Sequence, residues 1–178
     1  MWGAYDKGET YAGYMLLMIY TGMMPGELLA CKIESIDFSA QTITGAGLKT
    51  KERKSKPIVF PSFIAPVLRE LIGDKLSGKL IRANRDAFYE QYHEAEARIG
   101  IRDLKPYSCR HTTATALAIG DAAAPGVIAR VMRQTRPLTT QKYTHADVKA
   151  VLKVVNGMKK NPVTALPKGR GKKPNTGM

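Results

Sequence analysis

A tyrosine, an arginine and a group of lysines in this chain are of types that could do chemistry, and the tyrosine's setting is not built for a core. Tyr143 lies in "TTQKYTHAD" (139–147), among small polar residues, with Lys142 before it and His145 two places after. Arg110 stands in "PYSCRHTTAT" (106–115), and Lys49 in "GLKTKERK" (47–54), followed by Lys51, Arg53 and Lys54. A phenol oxygen can act as a nucleophile and an ammonium as a proton donor. A guanidinium is a planar, permanently charged fork suited to oxyanions. Each residue also has a plainer reading. A tyrosine can pack its ring on a helix surface, an arginine can simply be solvated, and clustered lysines can form an ordinary charged turn.

The charge balance favours the chemical reading. With 28 Lys/Arg and 15 Asp/Glu the chain carries +13. Residues 158–178 hold six Lys/Arg and no acid, so 13 less 6 leaves +7 on the body. A basic body points to a polyanionic partner, most often nucleic acid; solubility alone is the competing explanation. Cys31 and Cys109 are far apart and have no ligand spacing around them, which reads as two buried thiols in a reducing compartment. The longest apolar run, "YMLLMIYTGMM" (14–24), is too short to span a bilayer. No signal peptide precedes it, so the expected location is the cytoplasm.

The elements that position these residues read as mostly helical. Residues 10–22 are apolar nearly all round, as in a buried helix, and "PGELLACK" (25–32) follows with Pro25 suited to a first turn. "QTITGAG" (41–47) and "KPIVFP" (56–61) are β-prone runs flanking the charged turn, a hairpin or meander. Val67, Leu68, Leu71 and Ile72 mark an amphipathic helix, and another runs from Asn84 to about Arg98, stopped by Gly100. Residues 110–120 look helical, Pro125 opens a further helix, and Val148, Val151, Leu152 and Val155 fall on one helical face. The expected fold is α+β, mainly α, with a small antiparallel sheet inserted after the second helix. A domain over 1–157 precedes a basic, disordered tail at 158–178.

Four stretches in order, "YTGMMPGELL" (20–29), "GLKTKERK", "PYSCRHTTAT" and "RQTRPLTTQKYTH" (133–145), resemble the catalytic domain of the tyrosine recombinases, the phage-integrase family. The resemblance covers about residues 8–155. It implies an enzyme that cuts a DNA phosphodiester by in-line attack of a tyrosine, keeping the bond energy in a 3′-phosphotyrosyl link. Tyr143 matches the nucleophile and Arg110 the second phosphate-binding arginine. Lys49 matches the general-acid lysine that protonates the leaving 5′-oxygen. Lys51, Arg53, Lys54, His111 and Arg136 are implied DNA contacts. Glu27 matches an acidic position that orients a basic neighbour; an exposed carboxylate near a helix N-terminus is the alternative. Such chemistry needs no metal or other cofactor, in keeping with three scattered histidines, His93, His111 and His145, and no Cys/His cluster.

Three positions depart from the pattern. Met24 stands where the family has its first arginine, Tyr107 replaces a histidine three residues before Arg110, and Gln134 replaces one nine residues before Tyr143. A phenol and a carboxamide keep a donor for a phosphate oxygen; a thioether offers none. Arg53, Arg133 and Arg136 are candidates to fill that gap. The implied partner is double-stranded DNA, bound by a homo-tetramer that is a monomer or weak oligomer without DNA, with no membrane. Family members usually carry an N-terminal DNA-binding domain, whereas here the first helix opens within ten residues of Met1, as in a fragment or a decayed gene. A degenerate recombinase that binds DNA without cutting it is the second reading, and a basic nucleic-acid-binding module without catalytic ancestry the third.

Overall fold

A computed structural model describes residues 1–47, 56–101, 104–119, 125–133 and 148–158. Its centre is helix α2 (Thr10–Thr21), buried from Ala12 to Thr21. Met15, Leu17 and Met18 have no exposed surface, so this helix needs cover on every side, as its all-round apolar sequence requires. The cover comes from α1 (Trp2–Tyr5), α4 (Ala65–Ile72), α5 (Arg85–Ile99) and α6 (Ser108–Ile119). Helix α1 is an addition to the expected start. Trp2 anchors it by donating from Nε1 to the Tyr20 hydroxyl at 3.2 Å.

Local signals set the ends of these helices. The Glu9 carboxylate accepts from the Tyr11 amide at the start of α2, and Asn84 Oδ1 accepts from the Ala87 amide at 2.9 Å at the start of α5. Gly22 and Gly100 close α2 and α5 in the left-handed region, with φ of 64° and 73°. Helix α3 (Pro25–Ala30) has its proline in the first turn, as expected.

The sheet is an antiparallel meander in the order β1 (Ile36–Asp37), β2 (Thr42–Ile43) and β3 (Ile58–Val59). Ile36 pairs with Ile43, and Ile43 with Ile58. The β2–β3 pair lies where the two β-prone runs were expected; β1 extends it by one strand. Two further helices, α7 (Pro125–Val131) and α8 (Val148–Asn156), follow α6. Helix α8 packs back on its own chain. Val151, Val155 and the following Met158 are buried, and Asn156 Oδ1 accepts from the Ser62 amide at 2.8 Å and from Gln41 Nε2 at 3.1 Å. Residues 159–178, most of the expected tail, lie outside the described residues. Both thiols are buried, and burial pushes Cys31 up to about 12 and Cys109 up to about 11. No helix among the described residues is long and apolar enough to cross a membrane.

Candidate active site

The C-terminal end of α2 gathers the described candidates. Carbonyls in the last turn of a helix have no intrahelical donor and carry the negative end of its dipole. Here side chains from α6 and from the end of α7 supply donors. Thr113 Oγ1 donates to the Ile19 carbonyl at 2.7 Å. Arg110 Nη1 donates to the Gly22 carbonyl at 2.6 Å, and its Nη2 to the Met132 carbonyl. Arg133 reaches the same turn, Nη1 to the Thr21 carbonyl at 3.5 Å and Nη2 to that of Gly22 at 3.4 Å.

Gly22 is required for this turn. Its φ of 64° is left-handed, and a Cβ there would meet Met132 Sδ at 3.1 Å and Thr113 Cγ2 at 3.5 Å. The "TG" of the first motif therefore presents a carbonyl that two guanidinium groups share. Arg110 is 6% exposed, so the plain reading of a solvated surface arginine does not hold for it.

Glu27 is fully buried in the first turn of α3, which removes the exposed-carboxylate alternative. Its Oε2 accepts from the Met24 amide at 2.9 Å and from Arg133 Nη2 at 2.6 Å. Arg133 is 2% exposed, so the ion pair is enclosed. Removing one partner of such a pair costs about 3–5 kcal/mol, because a buried charge is left behind. Arg133 also holds a left-handed backbone, φ 49°, just after α7. Its pairing with Glu27 spans 106 residues, and no local pattern signals it.

Met24 is half-buried at the start of α3. Tyr107 is 51% exposed, with its ring edge-on to exposed His111 at 5.2 Å. The structure thus brings Arg110, Arg133, Glu27 and the turn carrying Met24 together. Lys49, Lys51, Arg53, Lys54, Gln134, Arg136 and Tyr143 lie outside the described residues. Among the described residues no cluster of His, Cys, Asp or Glu is placed to hold a metal ion.

Known proteins are similar to this chain in sequence and in fold. The chain is 28% identical over 161 residues to "Tyrosine recombinase XerC" of Bifidobacterium longum strain DJO10A, a match covering 80% of this chain and 45% of the relative. The same figures hold for the protein of that name from Bifidobacterium longum subsp. infantis. The chain therefore spans about half the length of these curated relatives. Among solved structures, the integrase from mycobacterium phage Brujita superposes with a TM-score of 0.65 at 16% identity, over 90% of this chain and 55% of that one. The model of the phage integrase family matches residues 4–150, and the chain belongs to that family.

Proposed function

We propose that this chain is the catalytic domain of a site-specific DNA recombinase working through a phosphotyrosyl intermediate on Tyr143. The Tyr143 phenol gives up its proton to solvent as its oxygen attacks phosphorus, forming the O–P bond as the bond to the 5′-oxygen breaks. Lys49 protonates that oxygen, which leaves as a hydroxyl. A 5′-hydroxyl of a second strand then attacks the phosphorus of the phosphotyrosyl link, losing its proton, and the Tyr143 oxygen leaves and is reprotonated as the phenol. Arg110 stabilises the charge on the non-bridging oxygens, with Tyr107 and Gln134 as neutral donors. Lys51, Arg53, Lys54, His111 and Arg136 contact the duplex backbone, and four copies assemble on two sites.

The observation that carries this reading is Arg110, at the position that matches the family's second arginine, held by the Gly22 carbonyl at the end of α2 and the Met132 carbonyl just after α7. A guanidinium held in advance has no reorganisation left to do when charge develops. Met24 motivates a second reading, in which the domain binds DNA without cutting.

A duplex nicked near the cleavage point separates the two. Cleavage there releases a short fragment and traps the covalent adduct, seen as a shifted band on a denaturing gel. Tyr143→Phe should abolish the adduct and leave duplex affinity nearly intact. An adduct in the Phe variant would assign the nucleophile elsewhere, and no adduct from the parent chain would favour the non-cutting reading.

A further inference from the structure

Position 24 lacks the arginine of the family pattern, yet the acidic residue expected to orient a basic neighbour still has one. Glu27 is bonded to Arg133 at 2.6 Å, and the same carboxylate oxygen holds the Met24 amide at 2.9 Å. Arg133 also reaches the Gly22 carbonyl that anchors Arg110. We propose that the guanidinium partner of Glu27 has moved along the chain from position 24 to position 133 while keeping its place in space, and that Arg133 is a positioning residue acting through Arg110. The inference rests on the proposed function, which makes Arg110 a phosphate contact; the affinity measurements below separate it from the cleavage chemistry.

The physical argument runs through the turn at 21–27. A buried carboxylate needs a charged or strongly hydrogen-bonding partner. Met24 supplies only its amide. Arg133 supplies a guanidinium whose Nη atoms also reach the Thr21 and Gly22 carbonyls. That fastens α3 to the end of α2 and fixes the direction of the Gly22 carbonyl, which in turn sets Arg110. Arg110 and Arg133 are both buried, at 6% and 2% exposure; Arg133 is committed to the Glu27 carboxylate, so its effect on phosphate passes through Arg110. The left-handed backbone at Arg133 is uncommon for a long side chain and is held by this set of bonds.

Relocation tests the idea. Arg133→Met should lower duplex affinity about 10-fold or more and the adduct rate on the order of 10²-fold. Adding Met24→Arg to that variant should recover most of both losses, because the guanidinium returns to Glu27 from its own turn. In an Arg110→Ala background, Arg133→Met should change affinity little, since the residue it positions is gone. Should Arg133→Met fail to fold, Glu27→Gln with Arg133→Met removes both charges and should show the same loss in a folded protein. Full affinity in a folded Arg133 variant, no recovery with Met24→Arg, or independent losses from Arg110 and Arg133 would each overturn the proposal. The affinity measurements need no cleavage. A parent chain that forms no adduct therefore counts against the proposed function, while the affinity cycle still decides the role of Arg133.

Discussion

The Thr113 hydroxyl crosses from α6 to the last turn of α2 and donates to the Ile19 carbonyl at 2.7 Å, with no exposed surface on the threonine. Ile19 is among the residues whose carbonyls the helix itself cannot satisfy. Thr113→Val keeps the shape and removes the donor. It should destabilise the fold by about 1–3 kcal/mol, the usual cost of a buried acceptor left unmade. Urea denaturation with an unchanged m-value checks this. Thr113→Ser should lose less, because the hydroxyl stays; equal losses from Val and Ser would assign the effect to the methyl group.

Gly22→Ala attacks the same corner through the backbone. At φ 64° an alanine pays about 1–2 kcal/mol for the left-handed conformation. The new Cβ also meets Met132 Sδ at 3.1 Å, a flexible contact that can yield. Duplex affinity should fall along with stability, since the Gly22 carbonyl anchors Arg110. Thermal unfolding and a binding titration on the same sample test the pairing. Affinity preserved in a destabilised variant would show that Arg110 does not depend on this carbonyl.

Much of this was legible before the structure. Helix α2 follows from its all-round apolar run, α4 from apolar spacing, α5 from the Asn84 cap at its start and Gly100 at its end, and the β2–β3 pairing from two β-prone runs around a charged turn. Strand β1 escaped because Ile36 is only half-buried and Asp37 exposed, so it lacks the buried pattern of the other two. Helix α1 escaped because four residues carry too little periodicity to read. The site was legible where its residues are local, as in "TGMMPGELL", and illegible where it depends on distance. Arg133 was one of three candidate cations, and sequence offered no way to choose. Its place was decided by a buried carboxylate 106 residues away.

Residues 159–178 carry six Lys/Arg and no acid, and Met158 before them is buried. A truncation after Met158 should therefore keep the fold and reduce non-specific duplex binding. Each phosphate neutralised contributes a slope of roughly −0.9 to the plot of log affinity against log salt. The truncated chain should give a shallower slope than the full chain over the same salt range. An unchanged slope would mean that these cations do not touch the backbone.

The Glu9–Arg98 pair joins the start of α2 to the end of α5. Arg98 Nε donates to Glu9 Oε2 at 2.8 Å. That hydrogen bond is the main reason the Glu9 carboxyl lies below its ordinary value of 4.5. A carboxyl lowered in the folded state stabilises above its unfolded value, and the contribution is lost as pH falls through the folded one. The difference in Tm between the parent and Arg98→Met should thus be fully present at about pH 7 and shrink towards about pH 3. Added salt at neutral pH should also reduce it, because Arg98 is half exposed and the pair is screened. The Glu9 bond to the Tyr11 amide survives the substitution, so helix α2 keeps its cap; the Arg98–Glu94 contact at 3.5 Å is lost as well, but it lies between two half-exposed side chains and contributes little. A Tm difference constant across that range would mean that the arginine acts through the packing of its aliphatic stem, not through its charge.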